Sequence, residues 1–341
     1  MTAVSFDLRD HPEGLPPVGP GEVRHLSVVF ASMPDGAPAS FPLIVLAGRR
    51  PGKTAVFVAG IHGDEYEGPA ALWQLAASLD VDRLSGTVLI VPIANGAAFA
   101  AGQRISPVDG ANLARIFPGD PDGTLSCRLA DALLRHVVAK ADVLVDSHSG
   151  GSRLAFAPVA GFYAADAAAG ITPESAERSL GLAKAMGLAS LWRLPPVPGV
   201  LSFEAARRGI AVTGCEIGGR GGCLARDVTL YLAGYRSVLA HAGLIDREPA
   251  GAAAPAPNYA TYLEGDWLRS RGAGYLETHV DLATRVEAGT LIATLHGPFG
   301  GVLQQFRAAE PGFVMAVRHL RTLGVGDLAT CVVREVPFDG R

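Results

Sequence analysis

The sequence predicts an α/β fold, a largely parallel or mixed sheet flanked by helices, followed by a smaller all-β segment. Three observations carry this expectation. Between residues 54 and 245, short continuous apolar runs alternate with stretches of helical periodicity, the pattern of buried strands covered by helices. Beyond residue 258 no convincing long helix remains, and short strand-like runs punctuated by Gly and Pro take over. Between the two lies PAGAAAPAPN, residues 249–258, where Pro and Ala dominate and periodicity is lost. The expected organisation is a domain over 1–248, a linker over 249–258 and a β-rich barrel or sandwich over 259–341, since a chain of 341 residues can divide into one large and one small domain.

The elements follow in order. VRHLSVVFA and FPLIVLAG alternate apolar and polar residues around the turn-rich MPDGAPAS, which predicts a hairpin leading into the core. TAVFVAGI is a short apolar run suited to a strand buried on both faces, and GPAALWQLAASL continues with helical spacing. The unit repeats: GTVLIVPIA as strand, SCRLADALLRHVVAK as helix, ADVLVDSHS as strand, AERSLGLAKAMG as helix, GIAVTGCEIGG as strand and VTLYLAGYRSVLAHAGLI as helix. Leu84 to Gln103 carries no charge, but Pro92, Asn95 and Gly96 interrupt it, so a buried strand followed by a loop is expected rather than a membrane span. In the tail, GYLETHV, TLIATLHG, GGVLQQFRA, GFVMAVRHL and LATCVVREV read as strands.

Composition narrows the function. With 49% hydrophobic and 18% charged residues the chain is that of a packed globular protein, which excludes disorder on a large scale. The formal net charge of -4 and the scatter of Lys and Arg remove the basic footprint of a nucleic-acid binder. The expected partner is a small molecule, with no nucleic acid and no membrane; further copies of the chain in a homo-oligomer are left open. Cys127, Cys215, Cys223 and Cys331 show no paired spacing, which argues against a disulfide framework or a thiolate zinc site and for a reducing cytoplasm. The opening MTAVSFDLRDHPEG has no apolar core of a secretory signal.

The strongest chemical signal is AGIHGDEYEG at the C-terminal end of a buried strand, where ligands bind in open α/β sheets. His62 and Glu65 can converge on one zinc ion if the chain turns sharply, and Gly60 and Gly63 permit the turn. DVLVDSHSGG supplies a third ligand, His148, again at a strand end. Two His and one Glu leave a zinc position open for water, which is the arrangement of catalytic zinc. The alternative, ordinary histidines at strand ends, must explain both sites together and also the acidic run Asp64, Glu65, Glu67 directly after an apolar strand.

GIHGDEYEG, then NGAAFAAGQRISPVDGANLARIFPG, then DSHSGG, then EIGGRGG occur in that order. This succession resembles the succinylglutamate desuccinylase/aspartoacylase family, relatives of the zinc carboxypeptidases, over roughly residues 40 to 245, and the β-rich tail resembles the family's C-terminal domain. The layout is nearest to bacterial deacylases of N-acyl amino acids, acetylated diaminobutyrate among them. The resemblance implies a zinc-carboxypeptidase-like mixed sheet and one Zn2+ per chain on His62, Glu65 and His148. It further implies Glu216 as general base, Arg104 as the oxyanion-stabilising arginine and Arg115 as the grip on a substrate carboxylate. Asp109 and Asn112 are expected to shape the arginine loop, with Asn112 and Arg220 as further candidate substrate contacts. Where the family has Asn immediately before its carboxylate-binding arginine, this chain has Ala114, so the substrate carboxylate is expected to be held differently or to be absent. His136, His241, His279, His296 and His319 are expected to be structural and without partners. No hairpin lysine of the biotinyl type appears in the tail, so no prosthetic group is expected there.

The resulting expectation is zinc-dependent hydrolysis of a small N-acyl amino acid or N-acyl amine. A metallocarboxypeptidase acting on peptides and a zinc-containing binding protein without turnover are the alternatives. Ser147 and Ser149 do not sit in a GxSxG turn, which argues against a serine hydrolase.

Overall fold

A computed structural model describes residues 3–11, 13–246 and 259–338. The N-terminal strands are β1 (Val4–Asp7), β2 (Val23–Ser32) and β3 (Pro38–Ala47), with β2 and β3 forming the expected antiparallel hairpin. Then come β4 (Arg50–Val58), α1 (Glu67–Ser78), β5 (Ser85–Val91), α2 (Gly96–Ala101), α3 (Leu125–Ala132), β6 (Val143–His148) and β7 (Leu154–Phe162). α4 (Pro173–Ala185), β8 (Ser190–Arg193), α5 (Leu201–Ala206), β9 (Ala211–Gly219) and α6 (Ala225–Ala242) complete this part of the chain. Residues 249–258, expected as a linker, lie outside the described residues.

One sheet of 13 strands runs through the molecule in the order β1-β2-β3-β5-β4-β6-β9-β7-β8 and on into the tail. Its centre, β5-β4-β6-β9, is parallel. Successive residues of a strand face opposite sides, and the core divides accordingly. Val56, Val58, Leu144 and Val212 meet the α3 and α5 side chains on one face. Ala55, Phe57, Val143, Val145 and Ala211 meet α1, α4 and α6 on the other. The result is helix, sheet, helix: three layers around two apolar sheets of contact.

The tail contains β10 (Thr261–Arg269), β11 (Gly274–Thr278), β12 (Arg285–Val286), β13 (Leu291–His296), β14 (Val302–Arg307), β15 (Gly312–Arg318), β16 (Thr322–Leu323) and β17 (Leu328–Pro337). β14-β13-β11-β16 form a second, four-stranded sheet, while β10, β17, β15 and β12 extend the large one. β10 pairs with β8 at Leu263 and Trp192, and β15 pairs back onto β7, so β7-β8-β10-β17-β15 close into a ring. Phe156, Val159, Trp192, Leu263, Met315 and Val333 fill it. The tail strands are thus sewn to the large sheet.

Three expectations change. The uncharged stretch to Gln103 is a strand followed by the short helix α2, not by a loop; Asn95 caps it by accepting the Ala98 N–H at 3.2 Å. The helix expected over 126–140 passes through a wide turn at Leu133–Val137 and a 3₁₀ turn at Val138–Lys140. His241, His279 and His296 are not without partners: His279 Nε2 lies 2.8 Å from Thr294 Oγ1, and His296 Nε2 lies 2.9 Å from Glu277 Oε2. No helix among the described residues is long and apolar enough to cross a membrane.

Candidate active site

β4, β6 and β9 are adjacent and parallel, so their C-terminal ends share one edge of the sheet, where the peptide groups are not consumed by a following strand. His62 and Glu65 occupy the turn between β4 and α1. Gly63 makes that turn tight enough, because a Cβ there would come within 2.0 Å of the Ala98 backbone of α2. His148 ends β6, and its register partner across the ladder is Glu216 of β9. The three strand ends therefore bring together residues that are far apart in the chain.

His62 and Glu65 are each 2% exposed. His62 Nδ1 lies 2.7 Å from Glu65 Oε1, and His148 Nδ1 lies 2.9 Å from Glu65 Oε2, so one carboxylate stands between two imidazoles whose rings are 5.1 Å apart. Each imidazole is held from behind. His62 Nε2 donates to Asn112 Oδ1 at 3.1 Å if Nδ1 is the ligand atom. His148 Nε2 lies 3.2 Å from Asp146 Oδ1, an ion-pair distance off the line of a hydrogen bond. Burial keeps His62 below the ordinary histidine value, with Arg104 adding to the effect. For His148 burial opposes the charge, but the Asp146 and Glu65 carboxylates more than offset it and raise its pKa well above the ordinary value. Burial also works against the charge of Glu65; His62 and His148 outweigh it and hold the carboxylate well below its usual range. Burial, reinforced by the Glu65 charge, pushes the Glu216 carboxyl up to about 8.

The loop after α2 carries the predicted arginines. Arg104 Nη1 donates to Glu65 Oε1 at 3.0 Å, which puts its guanidinium at the site. Asp109 accepts the Ser126 N–H and hydroxyl, each at 2.8 Å, and so anchors the loop to α3. Asn112 Oδ1 accepts the Ala114 N–H at 3.0 Å as well as facing His62, so it both caps the 3₁₀ turn Leu113–Arg115 and orients the His62 imidazole. Ala114 is 2% exposed and its side chain belongs to the apolar core. Arg115 is exposed, with Nη1 on the Ala114 carbonyl at 2.7 Å. Arg220 borders a cavity of about 470 Å³ together with Phe156, Arg226, Asp227 and Leu282.

Sequence reasoning missed Asp146 as a partner of His148, although it lies two residues earlier in an apolar strand, on the same face. A buried acid in such a run is itself a signal that a cation or donor is near. It also gave Asn112 a part in the loop and the substrate, not the orientation of His62.

The donor set fits a divalent cation. Two imidazole nitrogens and a carboxylate oxygen lie within 4.8 Å of one another. Among the described residues, the five buried side-chain oxygens without a hydrogen-bond partner all belong to Asp64, Glu67, Asp146 and Glu216, that is, to the site and its immediate surroundings. Acceptor oxygens left without donors at this one spot are what a bound cation would satisfy. Nitrogen and carboxylate donors suit zinc.

Comparison with known proteins agrees with this geometry. The succinylglutamate desuccinylase/aspartoacylase catalytic domain matches residues 51–242. The N-alpha-acetyl-L-2,4-diaminobutyric acid deacetylase of Halomonas elongata is 34% identical over 301 residues, 86% of this chain and 85% of the relative. The product-bound ectoine utilization protein EutE of Ruegeria pomeroyi superposes with a TM-score of 0.84 at 31% identity, covering 94% of this chain and 97% of that one. A succinylglutamate desuccinylase from a Silicibacter species gives 0.82 at 30% identity over the same shares. Sheet, site strands and tail are thus matched together along nearly the whole length, and the chain belongs to the succinylglutamate desuccinylase/aspartoacylase family of deacylases.

Proposed function

We propose that the protein hydrolyses the amide bond of a small N-acyl amino acid or N-acyl amine, with one zinc ion held by His62, Glu65 and His148. The observation that carries this reading is the convergence of those three ligand atoms within 4.8 Å. When bound, zinc would supply polarisation of the acyl carbonyl and a lowering of the pKa of water from about 16 to near 7. Glu216 takes the proton of the attacking water on its carboxylate and returns it to the leaving amine nitrogen. A carboxylate kept basic by burial suits that double duty. Arg104 directs its charge at the acyl oxygen as negative charge develops there. Arg115 offers its guanidinium fork to a substrate carboxylate, for which the fork's geometry is matched. With Ala114 packed into the core, no amide donor assists from that position. We also assign the protein to the cytoplasm, on four cysteines whose spacing suggests no pairing.

The substrate class follows the relative that deacetylates N-alpha-acetyl-L-2,4-diaminobutyric acid. The test is metal analysis of the purified protein, then a screen of that compound, simple N-acetyl α-amino acids and N-acetylated polyamines, read out as released amine. Amine release from a small N-acyl substrate, lost in Glu216→Gln while zinc is retained, is the expected result. Peptide cleavage in place of deacylation would move the assignment to a metallocarboxypeptidase.

A further inference from the structure

The acidic run after β4 holds one ligand, Glu65, and two further carboxylates that the hydrolysis leaves without a task. Both are withdrawn from solvent, Asp64 at 3% and Glu67 at 1% exposure. Burying two more acids beside Glu65 is costly unless each meets hydrogen-bond donors. Their donors lie on the loop that follows β6 and at the very end of β9. Ser152, just beyond His148, gives both its N–H and its hydroxyl to Asp64 Oδ2, at 2.8 and 2.7 Å. Gly219, just beyond Glu216, gives its N–H to Glu67 Oε1 at 2.7 Å. Both segments are shaped for these acids: a Cβ on Gly151 would stand 2.7 Å from Asp64 Oδ2, and one on Gly218, within β9, would stand 2.6 Å from Glu67 Oε1. The loops that follow β6 and β9 also bond to each other, Gly221 N–H to the Gly151 carbonyl at 2.7 Å.

We infer that Asp64 and Glu67 are positioning residues that tie the His62–Glu65 turn to the two neighbouring strand ends. Asp64 fixes the loop behind His148, and Glu67 fixes the end of β9 behind Glu216. The labour is divided accordingly: Asp64 acts on metal affinity and Glu67 on proton transfer. The catalytic consequences rest on the zinc-deacylase reading, whereas the tethers belong to the metal-free fold.

Glu67→Leu, Glu67→Gln and Asp64→Ala separate these roles. In the metal-stripped protein, deuterium exchange of the peptide spanning residues 214–222 should quicken at least ~10-fold in Glu67→Leu and stay near the parent in Glu67→Gln, whose amide oxygen still accepts from Gly219. In the zinc-loaded enzyme, Glu67→Leu should lower kcat by about 10- to 100-fold at unchanged KM and zinc affinity, with Gln restoring it. Asp64→Ala should weaken zinc binding by about 10-fold or more, measured against a chelator, while kcat at saturating zinc stays within about 3-fold. If Glu67→Leu does not fold, Glu67→Ala carries the same exchange and kcat expectations, because it too removes the acceptor of the Gly219 N–H. Unchanged exchange in Glu67→Leu, equal losses in Leu and Gln, or unchanged zinc affinity in Asp64→Ala would overturn the assignment. Failure of the zinc-deacylase reading looks different: the parent itself would lack activity, and the exchange comparison would still decide the tether at Glu67.

Discussion

Asp146→Asn removes one negative charge from behind His148 without changing the side chain's volume. Asp146 is 1% exposed, and its Oδ1 lies 3.2 Å from His148 Nε2. Two full charges at that separation would interact by about 5 kcal/mol at an effective dielectric of about 20. A metal-bound imidazole is neutral and carries only a polarised N–H toward Asp146, so a fraction of that interaction is at stake. Outer carboxylates of this kind contribute about 10- to 100-fold to metal affinity or activity, roughly 1.4 to 2.7 kcal/mol. The expected result is a zinc dissociation constant raised by that factor, measured by competition with a chromophoric chelator at neutral pH. KM should change little, since Asp146 lies on the far side of the imidazole from any substrate. The unfolding midpoint of the metal-stripped variant serves as the control for misfolding. A folded Asp146→Asn protein with zinc affinity within about 2-fold of the parent would refute the assignment of Asp146 as the orienting partner of His148.

Glu216→Gln should retain full zinc occupancy and lose about 10²- to 10⁴-fold in kcat, checked by metal analysis and steady-state kinetics on the same sample. Asp109 governs part of the acid stability. Burial raises its pKa, but the Ser126 and Thr124 hydrogen bonds outweigh this and lower it from 3.8 to about 2. Because the folded value is the lower one, its stabilisation is present above pH ~4 and is lost as pH falls toward 2. After allowance for partial exposure this is about 1 kcal/mol, so Asp109→Ala should lose roughly that at neutral pH and flatten the fall in urea stability between pH 4 and 2. Ala114→Asn places an amide in the apolar core and should cost about 1 to 3 kcal/mol of stability without lowering KM for N-acetyl α-amino acids. Thermal unfolding and kinetics together check it, and a stable variant with improved KM would mean that the position faces substrate.

The three strands that carry the site were legible because each is an apolar run ending in a polar cluster: TAVFVAGI before His62, ADVLVDSHS at His148 and GIAVTGCEIGG at Glu216. A largely parallel or mixed sheet was expected from the alternation with helices, whereas the order that makes these three strands neighbours comes from the structure. β7 was not read, because Pro158 interrupts LAFAPVAGF, and β10 was not read, because TYLEGDWLR carries charges on a strand whose partners are distant in sequence. The ring that joins the tail to the large sheet depends on pairings such as Phe156 with Ala316, which no local periodicity can reveal. α2 was hidden by its shortness, although Asn95 at its start is a capping residue that could have marked it. In the site, ligand spacing was local and readable. The outer contacts were not, since Asn112 reaches His62 across 50 residues and Glu67 reaches Gly219 across 152.

The most direct test of the central claim is the zinc content of the purified protein compared with that of His62→Ala and His148→Ala, each measured with deacylase activity on the same preparation. One zinc per chain in the parent, with both zinc and activity lost in either variant, is the predicted result. A parent that deacylates at full rate after zinc has been stripped, or variants that keep stoichiometric zinc, would contradict the assignment of His62, Glu65 and His148 as the metal site.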